Sequence, residues 1–278
     1  MTAGAQGQAH LKRWVTGLAA LAVLIACVIA GGATFSLLAG LGCFACQWEY
    51  VRLVRPPDTR RLTQPLVLAG YTAGLGVILA AHAGRADIIL AVLSLNGVAC
   101  GLLSLQRFPS DRTVLEAVAR QIQGVCYIPL PLALLILLRS APGGTVWIFL
   151  LCAVIFAGDT AALYAGTLWG RHKLCPAISP GKTVEGALAG LAANLAVGMA
   201  GKALFLPEVG WAAALAFAAA VGLAGQVGDL FESELKRASS VKDSGGLLPG
   251  HGGVLDRIDA LLFAAPVAFV FRMVVVCA

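Results

Sequence analysis

Charge is scarce in this chain of 278 residues: Asp, Glu, Lys and Arg together make 12%, and histidine occurs four times. Such a shortage, with 59% hydrophobic residues and a mean hydropathy of +0.86, excludes the soluble globular class. No polar stretch is long enough to enclose a core of its own, so 1–278 reads as a single integral membrane domain. A secretory signal layout is also missing, because the first apolar run leads into a second and not into a cleavable polar segment. Among the eight cysteines, Cys43 and Cys46 form one CxxC with no second pair to complete it. Packing inside a span explains it better than a metal or redox site. No internal repeat is evident, which weakens an inverted-repeat transporter reading. The net charge of +6 would suggest nucleic acid in a soluble chain. In this one the basic residues read as topogenic, and no nucleic-acid partner is expected.

What the chain has in abundance is apolar length. Runs fall at 14–30, 33–48, 65–82, 86–105, 122–138, 145–165, 184–204, 210–229 and 259–277. Backbone polar groups must be satisfied within lipid, and runs of this length do so as helices. The expected fold is therefore all-α: a polytopic integral membrane helical bundle of about nine transmembrane helices. The first two runs are short and meet at Gly31-Gly32, as a helical hairpin or a single broken element. With the N-terminus cytoplasmic, 16 of the 20 basic residues fall on the cytoplasmic side. Arg85, Arg139, Lys202 and Arg272 remain opposite, a strong positive-inside split. Trp14, Trp48, Trp147 and Trp211 sit near run ends, as interfacial anchors do. The basic segment 50–64 reads as topogenic, although it could also touch anionic head groups.

The few charges are concentrated. Ser233–Asp259, SELKRASSVKDSGGLLPGHGGVLDRID, is a dense mixed-sign cluster between two apolar runs. A solvated loop has no need of Pro249-Gly250-His251-Gly252-Gly253 leading into Asp256, Arg257 and Asp259. The glycines permit close backbone approach to a phosphate or ribose. Asp256 and Asp259, three apart at the start of the last helix, can face one site. Just before this stretch, Asp229, Glu232, Ser233 and Lys236 share one helical face. Asp229 lies where a carboxylate can hold a cation at the membrane boundary. Mg²⁺ takes few carboxylates together with phosphate oxygens. His251 is read as a substrate contact in preference to a proton-transfer group.

Two further segments complete the candidate list. Asp159 ends the run WIFLLCAVIFAGD, where a carboxylate must be paired with a cation or with a neighbouring helix. In Arg171–Gly186, RHKLCPAISPGKTVEG, Ser179 reads as an N-cap and Pro180 as the first helical residue. Lys182 and Thr183 follow. The segment is either an anion-binding helix start or a capped helix alone. PGKT is not a P-loop ending, since Cys175 stands at the first glycine position and no soluble strand precedes it.

The stretch 233–259 resembles the signature of phosphatidate cytidylyltransferases, also called CDP-diacylglycerol synthases. The matching positions are Ser233, Lys236, Arg237, Lys242, Asp243, His251, Gly252, Gly253, Asp256, Arg257 and Asp259. Upstream, D-T-A-A at Asp159–Ala162 and S-P-G-K-T-V-E-G at Ser179–Gly186 are similar to the same family, so the resemblance covers most of 155–260. The first 140 residues support it only through hydropathy. Gly181 stands where many members carry a second Lys, and Thr167 where an Arg is common.

The resemblance implies that CTP and phosphatidic acid give CDP-diacylglycerol and pyrophosphate at a Mg²⁺-dependent site, with a second metal ion allowed. The phosphatidate phosphate is already largely anionic, so catalysis rests on alignment and charge neutralisation. On this reading Asp229 and Asp256 are metal ligands, followed by Asp259 and Asp159. Asp229, Lys242, Asp243, Asp256 and Asp259 form the catalytic group. Ser179, Lys182, Thr183, Ser233, Lys236, Arg237, His251, Gly252, Gly253 and Arg257 bind substrate. The expected setting is a bacterial plasma membrane with the site facing the cytoplasm; a homodimer is compatible with it. A CTP-dependent lipid kinase of the dolichol type is the alternative, and it would release CDP. A CDP-alcohol phosphotransferase would need a D-G-x-x-A-R element, which is absent. A transporter using Asp159 and Asp229 would leave the PGHGG turn unexplained.

Overall fold

The computed structural model describes residues 3–54, 64–241, 243–247 and 252–276, with the side chains of 3–16 and 276 excepted. The element order is α1 Ala3–Ala30, α2 Gly32–Val54, α3 Gln64–His82, α4 Ala86–Arg107, α5 Val114–Tyr127, α6 Pro129–Ser140 and α7 Gly144–Trp169. A short hairpin follows, β1 Lys173–Cys175 and β2 Ser179–Thr183, and then α8 Val184–Phe205, α9 Trp211–Ala238 and α10 Leu255–Val276. The polytopic helical membrane architecture expected from the apolar runs is what the chain adopts.

Among the described residues, seven helices have the length and composition to cross a membrane: α3, α4, α5 with α6 as one span, and α7 to α10. The expected count of nine also included the two runs that form α1 and α2. The described apolar part of α1 covers only Gly17–Ala30. The second half of α2 carries Gln47, Glu49 and Arg52. Gly31 (φ +63°) and Gly32 (φ +49°) take left-handed backbone at the break between α1 and α2, so the first two runs are separate helices.

The described chain groups into two compact units, Met1–Ile136 with Ser239–Arg257, and Leu137–Ala238 with Ile258–Ala278. In the first, α2 buries Phe35, Ala39, Cys43, Cys46, Tyr50 and Leu53 at three- and four-residue spacing, one helical face. Its Gln47 amide donates to the Gly70 carbonyl of α3 at 3.0 Å. A side chain at Gly74 would come within 2.6 Å of the same amide. The Cys43 and Cys46 thiols are buried and unlinked in this packing. The Tyr50 hydroxyl lies 2.9 Å from the Arg120 carbonyl and 2.7 Å from Gln123 Oε1 on α5.

In the second unit α7, α8 and α9 pack through small residues, as helices do in lipid. The buried amide of Asn194 on α8 fits where Gly158 on α7 and Gly222 on α9 lack the Cβ that would overlap it. Trp147 departs from its expected place at an interface. It is buried, with its ring centroid 5.2 Å from Phe217 and 6.3 Å from Phe271. Its position near a run end reflects an aromatic core at that level. Trp211 is exposed under the Lys202 ammonium, which stands 4.8 Å from its centroid, as an anchor would be. Trp14 lies among the side chains not described.

Candidate active site

In the second unit, polar side chains collect at one cavity of about 380 Å³. Asp159 of α7, Lys182 of β2, and Gln226 and Asp229 of α9 line it, together with Ser179, Gly181 and Thr183. Lys182 Nζ lies 2.7 Å from Asp229 Oδ2. Asp159 and Asp259 both lie within electrostatic reach of Asp229, with Lys182 as a countercharge to the first and Lys236 to the second. Gln226 is tied down by donating to the Ala187 carbonyl at 3.0 Å. Asp259 sits one helical turn into α10 and accepts from the Ala260 N–H at 2.8 Å. Gly228 lets α9 approach its backbone: a Cβ there would lie 2.6 Å from the Asp259 carbonyl oxygen.

Lys182 reaches this cavity from a strand and not from a helix. The expected helix start at Ser179-Pro180 is corrected: Ser179–Thr183 pairs antiparallel with Lys173–Cys175, in register Lys173↔Thr183 and Cys175↔Ser179. Pro180 is exposed on a two-stranded ribbon, where its missing N–H costs nothing, and Gly181 disfavours a helix. The helix begins at Val184, and the N-cap is Thr183, whose buried hydroxyl accepts from the Gly186 N–H at 3.1 Å. Glu185 closes the hairpin by accepting from the Arg171 and His172 N–H groups at 3.1 and 3.2 Å. Around Gly181 there is open space, so a longer side chain would meet no obstacle there.

The end of α9 presents the expected face. Glu232 is fully buried and paired with Lys236 one turn on, which aims that ammonium along the helix. Arg237 Nε donates to the Ile178 carbonyl at 3.1 Å, so this arginine also steadies the hairpin. Ser233 is half-buried on the same face.

The first unit holds the rest of the candidate set. Three donors converge on Asp256 Oδ2: the Ser244 N–H at 3.0 Å, the Ser244 hydroxyl at 2.9 Å and the Gly253 N–H at 2.8 Å. Asp256 therefore folds the signature loop back onto the start of α10. Gly252 takes φ +79°, and a Cβ there would lie 2.9 Å from Asp256 Oδ2. At Gly253 a Cβ would overlap the Ser244 hydroxyl. Asp243 and Arg257 are exposed. Lys242 and His251 lie outside the described residues.

One residue went unnoticed in the sequence. Glu49 of α2 is fully buried. It accepts from the Val254 N–H at 3.0 Å and the Leu255 N–H at 2.8 Å, and its Oε2 stands 3.2 Å from the Ser244 hydroxyl, whose one proton it shares with Asp256. The signal was present: Glu49 is the first acidic residue of the chain and follows a long apolar stretch, a context that marks an ionisable group as functional.

The candidate residues thus fall into two groups. Asp159, Ser179, Lys182, Thr183, Asp229, Ser233, Lys236, Arg237 and Asp259 belong to the second unit; Asp243, Gly252, Gly253, Asp256 and Arg257 belong to the first. Among the described residues, no group of three or more His, Cys, Asp or Glu side chains is arranged to hold a metal ion by itself. The chemistry of the donors nonetheless suits Mg²⁺. Asp159 and Asp229 are hard oxygen donors at an open cavity, and Mg²⁺ takes one or two carboxylates plus phosphate oxygens instead of a closed protein cage.

Comparison with known proteins bears on the whole chain. The profile of the cytidylyltransferase family matches residues 11–275. A phosphatidate cytidylyltransferase of Staphylococcus saprophyticus is 32% identical over 257 residues, covering 91% of this chain and 95% of that protein. One from Staphylococcus aureus is 30% identical over 260 residues with the same coverage. One from Brucella suis reaches 43% over 140 residues, about half of each chain.

Proposed function

The chain belongs to the cytidylyltransferase family, and from that membership we infer that it is an integral membrane nucleotidyltransferase making CDP-diacylglycerol from CTP and phosphatidic acid. The observation that carries this reading is the cavity where Asp159, Lys182 and Asp229 meet among apolar helices. With a divalent cation on its carboxylates, such a constellation would suit a polyanionic substrate that reacts at a lipid surface.

The chemistry is a substitution at phosphorus. A phosphate oxygen of phosphatidic acid forms a bond to the α-phosphorus of CTP while the bond from that phosphorus to the β-phosphate oxygen breaks. Pyrophosphate leaves with the electron pair. The nucleophile is already anionic, so no strong general base is needed. Lys182, Lys236, Arg237, Lys242 and Arg257 neutralise the phosphates and hold nucleophile and leaving group in line. When CTP enters, Lys182 exchanges part of its contact with Asp229 for a phosphate oxygen. Gly252 and Gly253 lack the Cβ atoms that would crowd the Asp256 carboxylate and the Ser244 hydroxyl, which lets Asp256 hold the loop at the start of α10. Asp159, Asp229 and Asp259 of the second unit would hold Mg²⁺, and Asp256 is a candidate ligand through the resemblance of its stretch alone; the ion would supply charge neutralisation on the phosphoryl oxygens. The excess of basic residues in the loops that carry this chemistry supports a cytoplasmic face, where CTP is found. A bacterial plasma membrane is the setting proposed.

Membranes containing the protein, given CTP and phosphatidic acid, should form CDP-diacylglycerol and pyrophosphate in equal amounts, and a chelator should stop the reaction. Release of CDP with a phosphorylated lipid would assign a lipid kinase instead.

A further inference from the structure

Glu49 has no part in the chemistry above, yet its environment is built around it. A buried carboxylate costs several kcal/mol unless hydrogen bonds and nearby positive charge or dipoles compensate it. Two backbone N–H groups, one of them the first of α10, provide that compensation, with a share in the single Ser244 hydroxyl proton, which also faces Asp256. The N-terminal end of the α10 dipole adds to it. Two glycines of the 233–259 stretch are shaped to the same group. A Cβ at Gly245 would lie 2.5 Å from Glu49 Oε1, and one at Gly253 would lie 2.6 Å from Glu49 Oε2. The loop thus closes on a carboxylate about two hundred residues away in sequence. Ser244 joins the two acids, its hydroxyl lying 3.2 Å from Glu49 Oε2 and 2.9 Å from Asp256 Oδ2.

We propose that Glu49 is a positioning residue for cytidylyl transfer: it fixes the first turn of α10 and, through Ser244, the orientation of the Asp256 carboxylate. This rests on the function proposed above. Glu49 touches no substrate in this role. It acts by holding the loop in one arrangement, so that the Asp256 carboxylate is presented without reorganising. Misplacement of a catalytic group by about 1 Å can cost on the order of a hundredfold in rate.

The test compares wild type, Glu49→Gln, Ser244→Ala and the double variant, each purified in detergent and checked for a single species and for its Tm. Glu49→Gln keeps the side-chain volume but turns an N–H group toward backbone donors. Its kcat should fall on the order of ten- to a hundredfold, with KM for CTP changed by less than about threefold. Backbone amides of Ser244, Gly253, Val254 and Leu255 should exchange with deuterium faster, while those of α8 stay as in wild type. Because Ser244 links the two acids, the double variant should lose less than the product of the single losses. If Glu49→Gln does not purify folded, Ser244→Ala alone is read for the kcat loss and the exchange of the same amides. A folded variant with wild-type kcat, or losses that multiply, would overturn the positioning role. An inactive wild type would instead remove the functional reading itself.

Discussion

Lys182 and Asp229, 2.7 Å apart at the mouth of a cavity among apolar helices, are where single substitutions should matter most. Asp229→Asn removes the charge while keeping the shape, and should lower kcat on the order of 10²- to 10³-fold without loss of folding. Lys182→Met should cost a similar amount, divided between kcat and the KM for CTP. A second readout needs no turnover. Bringing Mg²⁺ to a site of mutually repelling carboxylates should raise Tm by mass action, and Asp229→Asn should abolish that rise. An equal shift in both proteins would place the ion elsewhere. At this scale the sequence was informative wherever an ionisable group interrupted an apolar run, as at Asp159 and Asp229. Glu49 carries the same local mark, but its partners, Ser244, Val254 and Leu255, lie at the far end of the chain, so what it serves is legible only in the fold.

Helix against helix, the second unit depends on missing side chains. Gly158 and Gly222 flank the Asn194 amide so closely that a methyl group on either would overlap it. Gly158→Ala and Gly222→Ala should each destabilise by about 1–3 kcal/mol, read as a lower Tm in detergent. Gly97, which has open space about its α-carbon, should tolerate alanine with no such loss. Helical elements were readable from apolar runs because lipid leaves the backbone few alternatives. The hairpin before α8 was not, since Ser followed by Pro marks a helix start and a strand edge alike. The decision between them came from pairing with Lys173–Cys175 and from the Thr183 cap. The same limit applies to Trp147, whose ring partners Phe217 and Phe271 lie on distant helices.

For the molecule as a whole, the distribution of basic residues proposes one orientation, and it is the same for nine spans as for the seven found among the described residues, because the two further runs are consecutive. Single cysteines at Arg85 and Lys173, in a background without the native ones, should label from opposite faces. A membrane-impermeant thiol reagent should reach Arg85→Cys in intact cells and Lys173→Cys only after permeabilisation. Labelling of both from one face would contradict the assigned orientation.

The most direct measurement follows the label from CTP into lipid, in vesicles holding either wild type or Asp229→Asn. Phosphatidic acid and CTP labelled at the α- or the γ-phosphate are supplied with Mg²⁺. Wild type should place α-label in CDP-diacylglycerol and γ-label in pyrophosphate, and Asp229→Asn should do so at no more than about a hundredth of that rate. Appearance of γ-label in the lipid, or an undiminished rate in Asp229→Asn, would contradict cytidylyl transfer at this cavity.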